Sequence, residues 1–573
     1  MISKGTILLI RTIILIALVV HFFPVNMVYA QNKADTTSIL IDLNMKKGPL
    51  RPIWAYFGYD EPNYTYMKDG RKLLTEIAKL SKVPVNVRAH SLLVSGDGVA
   101  ALKWGSTNAY TEDAQGKPIY DWTIIDKIFD TYIERGMKPI AQIGFMPEAL
   151  STKPQPYKHK WDPSARYNSI YTGWTFPPKN YEKFAALVFE WVKHSVARYG
   201  KAEVESWYWE LWNEPDIGYW SGTTDEYIKL YDYTADAVKR ALPTAKIGGP
   251  ETTGPGGEKA ALFLRTFLTH IVSGKNSVTG KVGTPLDFIT FHAKGQPRLL
   301  NEMVQMNMGK QLRDIDKGFE IVASYPTLKK LPIIIGESDP EGCAACSEDF
   351  SPQNAYRNGT MYSSYTAASF ARKYDLAESR GVNLLGAVTW AFEFEDQPWF
   401  RGFRDLATNG VDKPVLNVFR MFGLMQGSRV EVNKDLAYNA VTIRDSSVRG
   451  EKPDINALAA SDERSATVMV WNYHDNNDLT AAASPVTVKI KGMPAGNVLL
   501  RHYRIDREFS NSYEVWKKLG SPKSPSKEQF AELEKAGQLQ MYSSPEWIKP
   551  KSGEAALKME LPRQAVSLLQ LTW

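Results

Sequence analysis

Apolar residues along this chain fall into two kinds of run that alternate for most of its length. One kind is short, nearly continuous, and rich in β-branched and aromatic residues. It reads as a strand buried on both faces. The other repeats its apolar positions at three- and four-residue intervals and reads as an amphipathic helix. Strands are predicted at 52–59, 85–90, 138–145, 204–214, 245–250, 286–292, 332–337 and 384–390. Helices are predicted at 70–80, 121–135, 181–199, 225–242, 260–271, 299–324 and 356–380, with Gly136 and Gly200 as stop signals after two of them. Eight such alternations between 52 and 425 predict a (β/α)8 barrel with insertions in its rim loops. A doubly wound open sheet would carry a glycine-rich phosphate loop after its first strand, and the sequence has none. A further apolar run at 38–44 reads as a strand whose place in a barrel is open.

Past about 425 the pattern changes. Runs at 466–473, 485–490, 497–503 and 565–573 are short and alternating, with turn residues between them. They predict an antiparallel β-sandwich over 426–573, interrupted by helix-like and proline-containing pieces between 509 and 547. At the other end, Lys4 and Arg11, the apolar stretch 13–23 and Val28-Tyr29-Ala30 have the layout of a cleaved secretory leader, 1–30. The expected organisation is therefore leader, barrel over 31–425, then sandwich, in a secreted or periplasmic protein. Nothing after the leader is long and apolar enough to span a membrane.

Composition changes this picture only a little. Aromatic residues make up 12% of the chain, which suits large cores and sugar-stacking surfaces alike. A net charge of +6 over 573 residues is small, and no basic block interleaved with aromatics argues for nucleic acid. The mild positive balance is compatible with an acidic polysaccharide. Two cysteines, Cys343 and Cys346, are too few for a four-thiolate zinc site. In an oxidising compartment they would form a local disulfide and stiffen the loop after Glu337. No dense His/Asp cluster suggests a metal, so neither metal nor redox cofactor is expected. Asn63-Tyr-Thr65 and Asn358-Gly-Thr360 match the glycosylation sequon.

The chemistry gathers at two strand ends. Trp207-Tyr-Trp-Glu-Leu-Trp-Asn-Glu-Pro-Asp216 ends the fourth strand in Glu214, and Leu331-Pro-Ile-Ile-Ile-Gly-Glu-Ser-Asp339 ends the seventh in Glu337. A lone Glu at a strand end is usually one half of a surface ion pair. Two of them at the same barrel mouth are the equipment of glycoside hydrolysis. The acid/base must hold its proton near neutrality while the nucleophile is ionised, so the two need unlike surroundings. Arg88 and His90 lie two apart on one side of the second strand and could donate to the nucleophile. Asn213 is placed for a sugar 2-hydroxyl, and His292 for another hydroxyl or for packing. Trp390 is a candidate stacking platform, with Tyr219, Trp220 and Trp399 as candidates for outer subsites. A non-catalytic sugar-binding barrel would keep the aromatics without needing both carboxylates.

Trp209-Glu-Leu-Trp-Asn-Glu-Pro-Asp216 resembles the acid/base motif of glycoside hydrolase family 39. Arg88-Ala-His-Ser-Leu-Leu93, Tyr120-Asp-Trp, Gly136-Met-Lys-Pro139, Gly144-Phe-Met-Pro147 and Glu337-Ser-Asp-Pro340 resemble that family's motifs in order. So do Tyr503-Arg-Ile-Asp506, Trp516, Leu519-Gly-Ser-Pro522 and Gln529-Phe530 further on. The resemblance implies a retaining barrel enzyme of the β-xylosidase or α-L-iduronidase kind, with Glu214 as acid/base and Glu337 as nucleophile. It implies an oligosaccharide or polysaccharide substrate, cut at a terminal sugar, with endo action on an acidic polysaccharide as the alternative. Phe291-His-Ala-Lys-Gly295 resembles the iduronidase branch, where a lysine meets the uronate carboxylate. Lys294, with Arg401 or Arg404 after the eighth strand, would then form a carboxylate subsite, although such residues can equally be surface charges. The loop 341–347, with its two cysteines, departs from the iduronidase pattern.

Overall fold

A computed structural model describes residues 36–432 and 438–573. The expected leader lies outside the described residues. Nine strand segments form one parallel sheet: Tyr56–Tyr59, Asn86–Ala89, Lys138–Ile143, Tyr208–Leu211, Lys246–Thr252, Phe288–Phe291, Pro332–Ile335, and Asn383–Ala387 followed by Thr389–Trp390. The last two are one strand interrupted at Val388. Its first part pairs with the seventh strand (Ile333 opposite Leu384) and its second with the first strand (Thr389 opposite Phe57), which closes the barrel. All eight predicted strands are present in the predicted order.

These segments are strands because they are apolar on both faces. Ile333, Ile334 and Ile335 are fully buried, as are Phe288, Ile289 and Phe291. Inside the barrel, large rings are accommodated by glycines on neighbouring strands. A Cβ on Gly58 would lie 2.4 Å from the Trp390 ring. Two of the helices show how their ends are set by the sequence. Asn180 caps Tyr181–Tyr199 by accepting from Lys183 N, and Gly200 ends it at φ 85°. Thr223 and Glu226 form a capping box on Thr224–Ala241.

One helix is shorter than its pattern. Of the predicted 299–324, only Met308–Ala323 is helical, capped by Asn307. The residues before it form a hairpin, Arg298–Leu300 with Met303–Gln305. Its two turn residues, Asn301 and Glu302, have φ of 48° and 62°, the left-handed pair that a two-residue hairpin turn needs.

The second sheet has ten strands, and Thr37–Pro49 lies inside it. This strand pairs antiparallel with Ser428–Val432 and parallel with Ser484–Lys491. The sheet is therefore mixed where a purely antiparallel one was expected, and it is built from both ends of the described chain. Ile39 and Ile41 share one core with Val468, Val488, Leu500 and Leu569, so the sheet's two halves close on each other as a sandwich. Helix Thr360–Arg380 lies between barrel and sheet and is buried nearly all round. Its Arg372 donates at 3.0 Å to both oxygens of Asp454, and its Ser364 donates at 2.6 Å to Gln564. Helices Ser512–Lys518 and Lys527–Gly537 pack Trp516 and Phe530 around Phe400 and Leu533. Asn63 and Asn358 are both fully buried, which removes them as glycosylation sites.

Gly58→Ala tests the barrel closure. The added methyl meets an immobile indole and should destabilise the fold by about 1–3 kcal/mol through overpacking. An unchanged melting temperature would show that Trp390 can move aside.

Candidate active site

The groups at the barrel mouth owe their positions to strand ends that leave regular geometry. Trp212, Glu214 and Glu251 have φ of 69°, 44° and 56°, left-handed values that cost a non-glycine residue about 1–3 kcal/mol each. The turn at Trp212–Glu214 brings Glu214 inward, and its N–H donates to Glu251 O at 2.7 Å. Glu337 follows the seventh strand directly, and His292 and Lys294 follow the sixth.

Two cations join the two carboxylates. His292 Nδ1 is 2.9 Å from Glu214 Oε1 and 3.8 Å from Glu337 Oε1. Lys294 Nζ is 3.5 Å from Glu214 Oε1 and pairs closely with Glu337 Oε2. His90 Nε2 and Arg88 Nη1 approach Glu337 Oε1 at 3.3 and 3.8 Å. One atom each from Glu214, His292 and Glu337 fall within 4.8 Å of one another, a set that could hold a cation. Among the described residues, the Lys294 ammonium is in contact with both carboxylates of that set.

Beneath them lies a second layer of charge. Arg88 donates from Nε to Glu210 Oε2 at 2.5 Å and from Nη2 to Asn213 Oδ1 at 3.3 Å. Glu251 stands 3.8 Å from Arg88 Nε and 2.5 Å from His292 Nε2. Burial, with the charge of Glu251 close by, pushes Glu210 well up against the pull of Arg88. Glu251 is held low by Arg88 and His292 against its own burial. His90 is pushed down by burial and stays neutral. Arg88, His292 and Lys294 thus oppose Glu214, Glu251 and Glu337.

The unlike surroundings expected for Glu214 and Glu337 are only partly there. Burial opposes ionisation at Glu337, but Lys294, His292 and His90 together hold it well below the carboxylate range. Glu214 is also held down, by Lys294 and then His292, against burial and the charge of Glu337. Both are held down in the free site, because Lys294 and His292 each stand against both carboxylates.

The cavity above these groups measures about 200 Å³ and is lined further by Asp60, Lys103, Tyr219, Cys343, Trp390 and Arg404. Trp390 carries the Arg88 guanidinium 5.0 Å from its ring centre and the His90 ring at 4.3 Å. Arg401 does not reach this cavity. Its side chain is 45% exposed and paired with Asp349 and Glu348 on the surface. Arg404 reaches it instead, fully buried, with Nε donating to Trp390 O at 2.8 Å and Nη1 to Glu341 Oε1 at 2.9 Å. Its Nη2 has no hydrogen-bond partner among the described residues. Cys343 and Cys346 are joined as a disulfide, and the loop between them forms part of the cavity wall. Trp220 packs behind Trp212, and Trp399 belongs to the cluster around Phe400 and Phe530, so neither lines the cavity.

Sequence reasoning missed Asp60, Lys103, Glu210 and Glu251. Asp60 and Glu251 stand at the ends of the first and fifth strands, and the rule that found Glu214 would have found them.

Burial disfavours the charged form of His292, but Glu337, Glu251 and Glu214 push its pKa up to about 10. A raised pKa means a contribution to stability that is complete below the ordinary value of 6.5 and is lost as pH climbs to about 10. The stability gap between wild type and His292→Gln, measured by denaturant titration, should close across that window. A level gap would mean that His292 is neutral in the folded protein.

The chain matches the sequence model of glycosyl hydrolases family 39 over residues 37–548. A β-xylosidase from Caldicellulosiruptor saccharolyticus is 29% identical over 72% of this chain and 76% of its own. An α-L-iduronidase from Mus musculus is 24% identical over 86% of this chain and 75% of its own. The crystal structure of a monomeric β-xylosidase from Caulobacter crescentus CB15 has the same fold, with a TM-score of 0.72 at 22% identity over 94% of this chain and 99% of that one. With a match running through barrel and second sheet alike, the chain belongs to glycosyl hydrolases family 39 and is a glycosidase.

Proposed function

We propose a retaining, exo-acting glycosidase that releases a terminal α-L-iduronosyl-like or β-D-xylosyl unit by double displacement. The observation that carries retention is the spacing of the two carboxylates. Glu214 and Glu337 offer oxygens within 4.8 Å of each other. Retaining enzymes hold their carboxyl groups about 5–5.5 Å apart, whereas inverting ones need about 6.5–9.5 Å to admit a water. Glu337, kept ionised by Lys294, His292 and His90, attacks the anomeric carbon, and its C–O bond forms as the glycosidic bond breaks. Glu214 gives its proton to the leaving oxygen. It then takes one from the water that displaces Glu337.

Glu214 must hold a proton for the first step, and in the free site Lys294 opposes that. A substrate that recruits the ammonium of Lys294 removes the larger of the two cations that hold Glu214 down, and leaves His292 alone to oppose burial and the charge of Glu337. A uronate carboxylate does this, and Arg404, lining the same cavity, offers it a second cation. These two residues favour the uronate over the neutral xyloside. Terminal action is supported by the cavity, since about 200 Å³ is below the range of about 300–1,000 Å³ that larger ligands occupy. The joined cysteines are consistent with an exported enzyme.

Three measurements bear on this reading. Proton NMR of the first product should show the anomeric configuration of the substrate; the opposite anomer would remove the double displacement. Glu337→Gln should lower kcat on the order of 10⁴-fold or more while sugar binding persists. Hydrolysis at the wild-type rate would leave only a binding role for the site. Lys294→Ala should lose α-L-iduronide turnover disproportionately to β-D-xyloside turnover. Equal losses on both would place Lys294 with the carboxylates alone and withdraw the uronate preference.

A further inference from the structure

Asp60 and Lys103 form an ion pair with no part in the steps above. Lys103 Nζ donates to Asp60 Oδ2 at 2.8 Å, and both residues are buried yet line the cavity. A buried pair returns little net stability after desolvation, so its presence at a ligand cavity calls for another reason.

The pair is held in place from one segment. Asn63, three residues beyond Asp60, accepts from Ser106 N and donates to Ser106 O, both at 2.9 Å. This clasps the loop that carries Lys103. The clasp is tight, since a Cβ on Gly105 would come 2.1 Å from Asn63 Oδ1. The ammonium of Lys103 sits 4.7 Å from the Trp104 ring centre, and its carbonyl accepts from Trp161 N at 2.9 Å.

Position in the barrel says what the pair faces. His90 Nε2 lies between Glu337 Oε1 at 3.3 Å and Asp60 Oδ1 at 3.5 Å, so Asp60 is one imidazole away from the attacking carboxylate. Asp60 follows the first strand and Lys103 lies on the loop after the second, while Lys294 follows the sixth, across the sheet order from the second. In a pyranose with C1 at Glu337, the function proposed above gives the C5 substituent to Lys294 and Arg404, and Asn213 is the candidate for the 2-hydroxyl. The hydroxyls on C3 and C4 remain. A vicinal diol needs one acceptor and one donor side by side, which a carboxylate and an ammonium in contact supply.

We propose that Asp60 and Lys103 are the subsite for the 3,4-diol of the sugar being cleaved off, and that they confine the enzyme to residues free at both positions. A neighbour linked through O4 would have to unseat Lys103 from its clasped loop. The inference rests on the glycosidase reading above and adds a reason for terminal action.

The test compares kcat/KM for wild type, Asp60→Asn and Lys103→Met on a parent nitrophenyl glycoside and its 2-, 3- and 4-deoxy forms. In wild type, loss of the 3- or 4-hydroxyl should cost about 10- to 100-fold, the range for a charge-assisted hydrogen bond. Asp60→Asn should cost a similar factor on the parent and little further on the 3- or 4-deoxy form. Its penalty should multiply in full with that of 2-deoxygenation. Full multiplication at all three positions would overturn the subsite. If a variant fails to fold, the wild-type series decides alone, since 3- and 4-deoxygenation without effect on kcat/KM overturns it too. Turnover of neither a xyloside nor an iduronide parent would strike down the proposed function and this subsite with it.

Discussion

Compensation of buried charge governs this molecule. Four carboxylates, Glu210, Glu214, Glu251 and Glu337, are buried at the barrel mouth. At an effective dielectric of about 20, two like charges about 4 Å apart repel by about 4 kcal/mol. The fold meets this with three cations, Arg88, His292 and Lys294. Removing any single cation would leave an uncompensated buried charge, commonly a loss of about 3–5 kcal/mol. Much else follows from holding those cations in place. Arg88 is fixed by Glu210, Asn213 and Trp390, and His292 is gripped between two carboxylates. The left-handed Glu214 and Glu251 at the tips of the fourth and fifth strands have their side chains fixed by this network.

A second ring of polar groups fixes the wall. Asp339 accepts from Trp390 N at 2.9 Å, and burial, with Glu337 nearby, pushes it up to about 6. Arg357 is fully buried and donates to Glu341 and to the carbonyls of Cys343, Ala344, Cys346 and Gly402. The disulfide loop is thus wrapped around one guanidinium, which also ties it to the loop carrying Arg404. A wall built this way sets the cavity's shape before any sugar arrives, so little ordering remains for the substrate to cost.

The barrel was legible in the sequence because its strands are buried on both faces and its helices carry their own stop signals. Glu214 and Glu337 were legible because each ends such a strand. Less could be seen of the second sheet. Ser428–Val432, Asp454–Ser461 and Glu554–Leu561 went unpredicted. The last, Glu-Ala-Ala-Leu-Lys-Met-Glu-Leu, is made of good helix formers. It is a strand because Ala555, Leu557 and Met559 alternate onto the sandwich core, and tertiary contact overrides propensity. The state of Glu214 was not legible either. It depends on where the Lys294 ammonium comes to rest, and a motif does not specify that. Arg401 and Arg404 are three apart, and only the path of the loop decides which turns inward.

The strand Thr37–Pro49 has a consequence for how the protein is made. Its neighbours are residues 428–432 and 484–491, so it leaves the ribosome well before either exists. At about 5–20 residues per second that wait is about 20–90 s. The barrel's parallel pairs are complete once the chain has passed residue 390, and it can close during synthesis. The sandwich cannot, because a strand in the interior of its sheet order has to be retrieved from the far end of the chain. During the wait an apolar ribbon carrying Ile39 and Ile41 presents two unpaired edges. Shortening the chain to start at the first barrel strand would therefore remove an interior strand of the distant sheet while leaving the catalytic barrel untouched in sequence.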